Sequence, residues 1–176
     1  MTPTAPETPQ ADLYTRSARK APSAKLQPAQ HAYAIPRYRV MLVKESLAHS
    51  SPVTIRDSQS AYRLLAPLFD GLDREHFLVV GLDAKHAVIG INTVSIGSVT
   101  MSIVHPREVF KPLILMNASA VILTHNHPSG DTTPSQEDRA LTQRLKDAGE
   151  LLGIRVLDHV VLGDGRYHSF ADHGAL

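Results

Sequence analysis

With 176 residues the chain has room for one domain and a tail. A formal net charge of +1 makes no strong case for nucleic acid, and the absence of cysteine excludes disulfides and thiolate metal ligands. No run approaches the apolar length of a membrane span, and the first residues lack the basic and apolar regions of a secretory signal, so a cytoplasmic location is expected.

Residues 1–30 are rich in Pro, Ala, Thr, Ser and Gln, the composition of a disordered tail. Arg16, Arg19, Lys20 and Lys25 make it mildly basic, which suits a solvated linker better than a DNA or partner contact. The tail is drawn to residue 34 and the domain from 35 to 176, with its core at about 50–176.

Residues 38–44, with the apolar run Val-Met-Leu-Val inside, look like a strand. Ser58 can cap a helix through Ala61, Leu64, Leu65 and Leu68, which Pro67 kinks or shortens. Residues 77–82 form an apolar strand, and a turn at 83–86 leads to strands at about 87–92 and 95–103, with a bulge expected at Gly97. Pro106 precedes a helix at about 107–117, whose core face is Val109, Phe110, Leu113 and Ile114 and whose first turns Pro112 makes irregular. A buried strand at 119–124 follows, then a turn-rich stretch. A helix at 136–151 buries Leu141, Leu145, Ala148 and Leu152 and ends at Gly153. Residues 154–162 and about 166–170 are strands joined by a turn at 163–165. The sum is an α/β domain, a mixed sheet with helices on its faces.

Residues 123–138 read Leu-Thr-His-Asn-His-Pro-Ser-Gly-Asp-Thr-Thr-Pro-Ser-Gln-Glu-Asp. His125 and His127 stand at i and i+2, so on extended backbone both imidazoles leave the same face. Pro128, Gly130 and Pro134 force irregular backbone, Ser135 can cap the next helix, and Asp138 falls in its first turn. The loop is long enough to fold that carboxylate onto the two histidines. Two imidazoles and one carboxylate, with a fourth position open, are the ligand set of a catalytic zinc site. A plainer reading exists: Ser135-Gln-Glu-Asp138 is also a capping pattern, with the acid placed for the helix dipole.

His125-Asn-His127, seven residues, Ser135, two residues and Asp138 resembles the metal-binding motif of the JAMM (MPN-plus) metalloproteases. The surrounding text is similar to their bacterial branch, the RadC-like proteins. It has Pro-Arg-Glu-Val-Phe at 106–110, His-Asn-His-Pro-Ser-Gly at 125–130, Leu-Asp-His at 157–159 and Tyr-His-Ser-Phe at 167–170. The resemblance spans about residues 50–176. It implies the JAB/MPN fold, a curved mixed sheet flanked by helices in a cytidine-deaminase-like three-layer arrangement. It also implies one Zn2+ per chain on His125, His127 and Asp138, and hydrolysis of peptide or isopeptide bonds in a protein substrate.

Such chemistry needs a carboxylate to hold water and carry its proton to the leaving nitrogen. Glu137 points elsewhere on its helix. The family places the carboxylate upstream at the start of an apolar strand, where Glu75 matches, with Glu108 and Glu45 as rivals. The resemblance also gives Ser135 an oxyanion-stabilising role; a pure N-cap is the alternative. His159 is either behind a metal ligand or in a structural hydrogen bond, the simpler reading. His105 is read as a loop residue, and His168 and His173 as exposed. Asn126 is expected to orient the loop, and Gly130 to serve its turn.

The competing function is a metal-holding module without turnover, in DNA repair or a mobile element. The balanced charge and the lack of a recognisable helix-hairpin-helix region argue against strong DNA affinity, and a nuclease lacks a second metal site. Substrate identity and oligomeric state are not legible.

Overall fold

The computed structural model describes residues 38–43, 53–97 and 104–176. The expected tail at 1–34, Glu45 and residues 98–103 lie outside them. The chain divides into units at 1–39 and 40–176; of the first, only Tyr38 and Arg39 are described.

Helix α1 (Ser58–Leu65) begins the second unit's regular structure, and a 3-10 turn at Ala66–Leu68 follows where Pro67 stops the α-helix. The N-cap is Asp57, not Ser58: its carboxylate accepts from Ser60 N at 2.6 Å, and Ser60 Oγ donates back to Asp57 O at 2.8 Å. Ala61 and Leu65 are buried, whereas Leu68 falls in the 3-10 turn and is exposed.

Strand β1 (His76–Leu82) pairs antiparallel with β2 (Val88–Ile96). The two strands expected at 87–92 and 95–103 are, as far as residue 97, this single β2. Its two irregularities skip Val94, between the pairs Phe77–Ser95 and Leu78–Thr93, and Ile89, between Gly81–Gly90 and Leu82–Val88, rather than falling at Gly97. Helix α2 (Pro106–Leu115) tolerates Pro112 inside it and buries that proline with Val109, Phe110 and Leu113; Ile114 faces out. Strand β3 (Ala120–Asn126) is buried along its whole length. Helix α3 (Gln136–Leu152) buries Leu141 and Leu145, part-buries Ala148, leaves Leu152 exposed, and ends at Gly153 in the left-handed region, φ 71°. Strands β4 (Arg155–Gly163) and β5 (Arg166–Ser169) close the chain as a hairpin.

The sheet order is β2-β1-β3-β4-β5. Only β3 and β4 run parallel, joined by α3; the other neighbours are antiparallel. One face packs Phe77, Val79, Val121 and Leu123 against α2 and α3. The other packs Leu78, Val80, Ile122 and Val160 against α1. Burial on both faces explains why β3 is an unbroken apolar run rather than an alternating one. The result is the three-layer mixed α/β arrangement expected.

Residues 38–43 form no strand, and 40–43 are exposed. Their apolar run suits a strand, but an extended run needs a ladder partner, and among the described residues none of the five strands pairs with it. Among the described residues no helix is long and apolar enough to cross a membrane.

Candidate metal centre

The C-terminal end of β3 carries His125 towards the α2/α3 face, opposite Phe77 of β1. The chain then leaves the sheet, with His127 N donating to Leu162 O at 2.8 Å and Gly130 N to His127 O at 2.9 Å. Gly130 turns in the left-handed region, φ 80°, and lies so close to the β4–β5 hairpin that a Cβ on Gly163 would sit 2.6 Å from Gly130 O. The loop is thus seated on a surface cut for it. It returns at Ser135, the N-cap of α3, and the first turn brings Asp138 back to the histidines.

His125 Nε2 lies 3.0 Å from His127 Nε2 and 3.3 Å from Asp138 Oδ1. His127 Nε2 is 3.7 Å from Asp138 Oδ2. His125 and Asp138 are buried and His127 is partly open to solvent. The ligand atoms all lie within 4.8 Å of one another, the spacing of a group that could hold a metal ion. His127 Nδ1 meets the Asp131 carbonyl oxygen, which can only accept. Nδ1 therefore bears the proton, and Nε2 turns a lone pair on His125 and Asp138. Lone pairs gathered this closely call for a cation between them, so these residues fit a metal.

The same closeness shifts the protonation of the group when no metal is bound. Burial opposes the Asp138 charge, but His125 and His127 beside it, with the Ser135 hydroxyl, outweigh burial and hold the carboxyl far below its usual range. His127 is held above its ordinary value, first by Asp138, against burial, with the Asp131 carbonyl and the charge of Glu75 adding to the effect.

The capping reading of residues 135–138 is borne out, and it leaves one carboxylate oxygen of Asp138 free to face His125. Asp138 Oδ2 accepts from Ser135 N at 2.8 Å and from Ser135 Oγ at 2.6 Å, while Ser135 Oγ accepts from Asp138 N at 3.0 Å. This is a reciprocal capping box. Oδ1 is left for His125, while His127 Nε2 lies nearer Oδ2.

Glu75 sits one residue before β1. Phe77 opposes His125, so continuing the antiparallel register by two places sets Glu75 opposite His127. Asn126 ties that stretch down: its Oδ1 accepts from His76 N at 2.8 Å and its Nδ2 donates to Arg74 O at 3.1 Å. Glu108 is elsewhere, exposed on α2 and bridged to Lys111 Nζ at 2.8 Å. Glu137 is exposed on the first turn of α3.

His105 lies outside regular structure as expected, and His168 is less exposed than expected. His105 caps α2, its Nδ1 accepting from Arg107 N at 3.2 Å. His168 is half-buried and stacks on His173 at 4.0 Å. His159 is wholly buried, with Nε2 2.8 Å from His125 Nδ1, behind a candidate ligand as the less simple reading had it. Its Nδ1 lies 2.6 Å from Thr142 Oγ1, and Thr142 donates to Asp138 O at 2.6 Å. Sequence reading passed over Thr142. The signal was there: it stands four residues after Asp138 and next to Leu141 on the buried face, where a hydroxyl needs a partner.

A family model described as the RadC-like JAB domain matches residues 55–175. A UPF0758 protein of Desulfitobacterium hafniense is 58% identical over 105 residues, 60% of this chain and 46% of that protein. One from Moorella thermoacetica is 51% identical over 126 residues, 72% of this chain and 55% of its own length. One from Symbiobacterium thermophilum is 49% identical over 134 residues, 76% and 57% respectively. The chain spans about half the length of these curated relatives. A match over 55–175 that takes in all five strands, all three helices and the histidine loop shows that the chain belongs to the RadC-like JAB domain family.

Proposed function

We propose that the domain is a zinc-dependent hydrolase of amide bonds, acting on peptide or isopeptide linkages. The observation that carries this reading is the convergence of His125 Nε2, His127 Nε2 and the Asp138 carboxylate at one partly open point. Two imidazoles and a carboxylate suit zinc, and a fourth position is left on the solvent side. Bound there, zinc supplies a Lewis acid that brings the pKa of water to about 7 and polarises a carbonyl.

The chain's own residues do the rest. Glu75, held by the Asn126 clamp, takes the proton of the attacking water and returns it to the leaving nitrogen as the C–N bond breaks. The products are a carboxylic acid and an amine. Ser135 first holds the ligand carboxylate, because its hydroxyl proton is donated to Asp138 Oδ2. It serves an oxyanion by exchanging that acceptor. Burial of His125 and Asp138 keeps water from competing for the ligands.

The test is Glu75→Gln against a panel of quenched-fluorescent peptides and lysine-isopeptide conjugates. Zinc content is expected to stay near one per chain while turnover falls about 100- to 10,000-fold. Full turnover in the variant removes Glu75 from the mechanism. No cleavage of any panel member by zinc-loaded wild type sinks the hydrolase reading in favour of a metal-holding module.

A further inference from the structure

Behind His125 a chain of hydrogen bonds runs back to the helix that carries Asp138. His125 Nδ1 meets His159 Nε2 at 2.8 Å, His159 Nδ1 meets Thr142 Oγ1 at 2.6 Å, and Thr142 Oγ1 meets Asp138 O at 2.6 Å. The direction of each bond follows from its last member. A backbone carbonyl can only accept, so Thr142 donates its one hydroxyl proton to Asp138 O. Having no second proton, Thr142 accepts from His159, and His159 Nδ1 carries a hydrogen.

His159 is wholly buried, its ring against Phe170 at 4.9 Å and Phe77 at 5.6 Å. Its ring nitrogens meet a hydroxyl and another imidazole, surroundings that leave a second proton uncompensated. Its Nε2 is therefore an acceptor. His125 must then donate from Nδ1, and His125 Nε2 is left bare, facing His127 and Asp138.

We propose that Thr142 and His159 are positioning residues that lock His125 in the tautomer with its proton on Nδ1, so that Nε2 offers its lone pair at the metal position. The inference rests on His125, His127 and Asp138 being the ligands. It gives α3 two tasks one helical turn apart, with Asp138 as a ligand and Thr142 setting the tautomer of another. His127 reaches the same tautomer by a local route, through the Asp131 carbonyl. His125 lies inside the sheet, where a loop carbonyl is not at hand, and needs the longer chain.

The experiment is a long-range proton–nitrogen correlation of the histidine rings in the metal-free full chain, above the range in which histidine titrates, about pH 8. Wild type is expected to show both His125 and His159 protonated at Nδ1. A proton on His125 Nε2 overturns the proposal whatever any variant does. Thr142→Val is expected to move both rings towards the Nε2 tautomer and to weaken Zn2+, measured by chelator competition, about 10- to 100-fold. Thr142→Ser is expected to restore both. A valine variant with wild-type tautomers and affinity, or a loss that serine does not repair, also overturns it. His159→Phe, which keeps the ring stack, is expected to weaken Zn2+ as the valine does, and unchanged affinity there counts against the proposal. The tautomer measurement needs neither metal nor substrate. A failure there is distinct from zinc-loaded protein that cleaves nothing, which would sink only the hydrolase reading.

Discussion

Asp138 turns one oxygen towards His125 and the other onto the Ser135 hydroxyl, so one side chain serves both the helix and the centre. Two other side chains, Thr124 and His168, carry a buried polar atom that lacks that economy. Thr124 Oγ1 is buried without a partner among the described residues, on the strand face opposite the centre. Thr124→Val keeps the shape and removes an unsatisfied hydroxyl. It is expected to raise stability by about 1 kcal/mol, read as a higher Tm with zinc binding unchanged. His168 is the second. Burial, then the charge of the stacked His173, hold its imidazole below its ordinary range. The unfolded chain therefore takes up a proton before the fold does. Stability from this group is present above about pH 6.5 and is lost as pH falls through the folded value. His168→Phe should make the fall in Tm between about pH 7.5 and about pH 5.5 shallower than in wild type. Parallel curves would show that His168 does not set the acid limb.

The elements matter here through their ends. The C-terminal end of β3 delivers the histidines, the N-terminal turn of α3 delivers the acid, and the start of β1 sets Glu75. The loop between the first two is held by the β4–β5 hairpin, where Gly163 touches Gly130 backbone. Gly163→Ala puts a Cβ 2.6 Å from a carbonyl oxygen that has no flexible side chain to move. The loop must shift, at about 1–3 kcal/mol by analogy with overpacking elsewhere. Weaker Zn2+ binding is expected from a residue that contacts no ligand, measured by chelator competition. Wild-type affinity would mean that the loop is positioned by its ends alone.

At the scale of the whole molecule, a metal on these ligands ties β3 to α3 across the core. If zinc is the ion, a hundredfold excess over its Kd would stabilise the folded state by about 2.7 kcal/mol. For a domain of this size that raises Tm by roughly 5–11 °C over chelator-treated protein. Asp138→Ala should melt at the same temperature with and without zinc. A wild type whose melting ignores the chelator would remove the metal from the centre.

The pattern His125-Asn-His127 … Ser135 … Asp138 lies within one strand, one loop and one helical turn, so its geometry is local; spacing suggested the cluster and the family resemblance singled it out from a plain capping pattern. The strands and helices that are apolar runs bounded by Gly or Pro were legible for the same reason. What sequence could not settle depends on neighbours distant in the chain. The run at 38–43 has strand chemistry, but among the described residues no strand pairs with it. Ile114 and Leu152 have core chemistry but lie on the outer sides of α2 and α3, because the sheet can cover only one face of each helix. The roles of His159 and Thr142 needed the tertiary structure most. A hydroxyl on α3 and an imidazole on β4 become one hydrogen-bonded unit only where the parallel β3–β4 pair brings His159 beside His125, and no spacing along the chain encodes that contact.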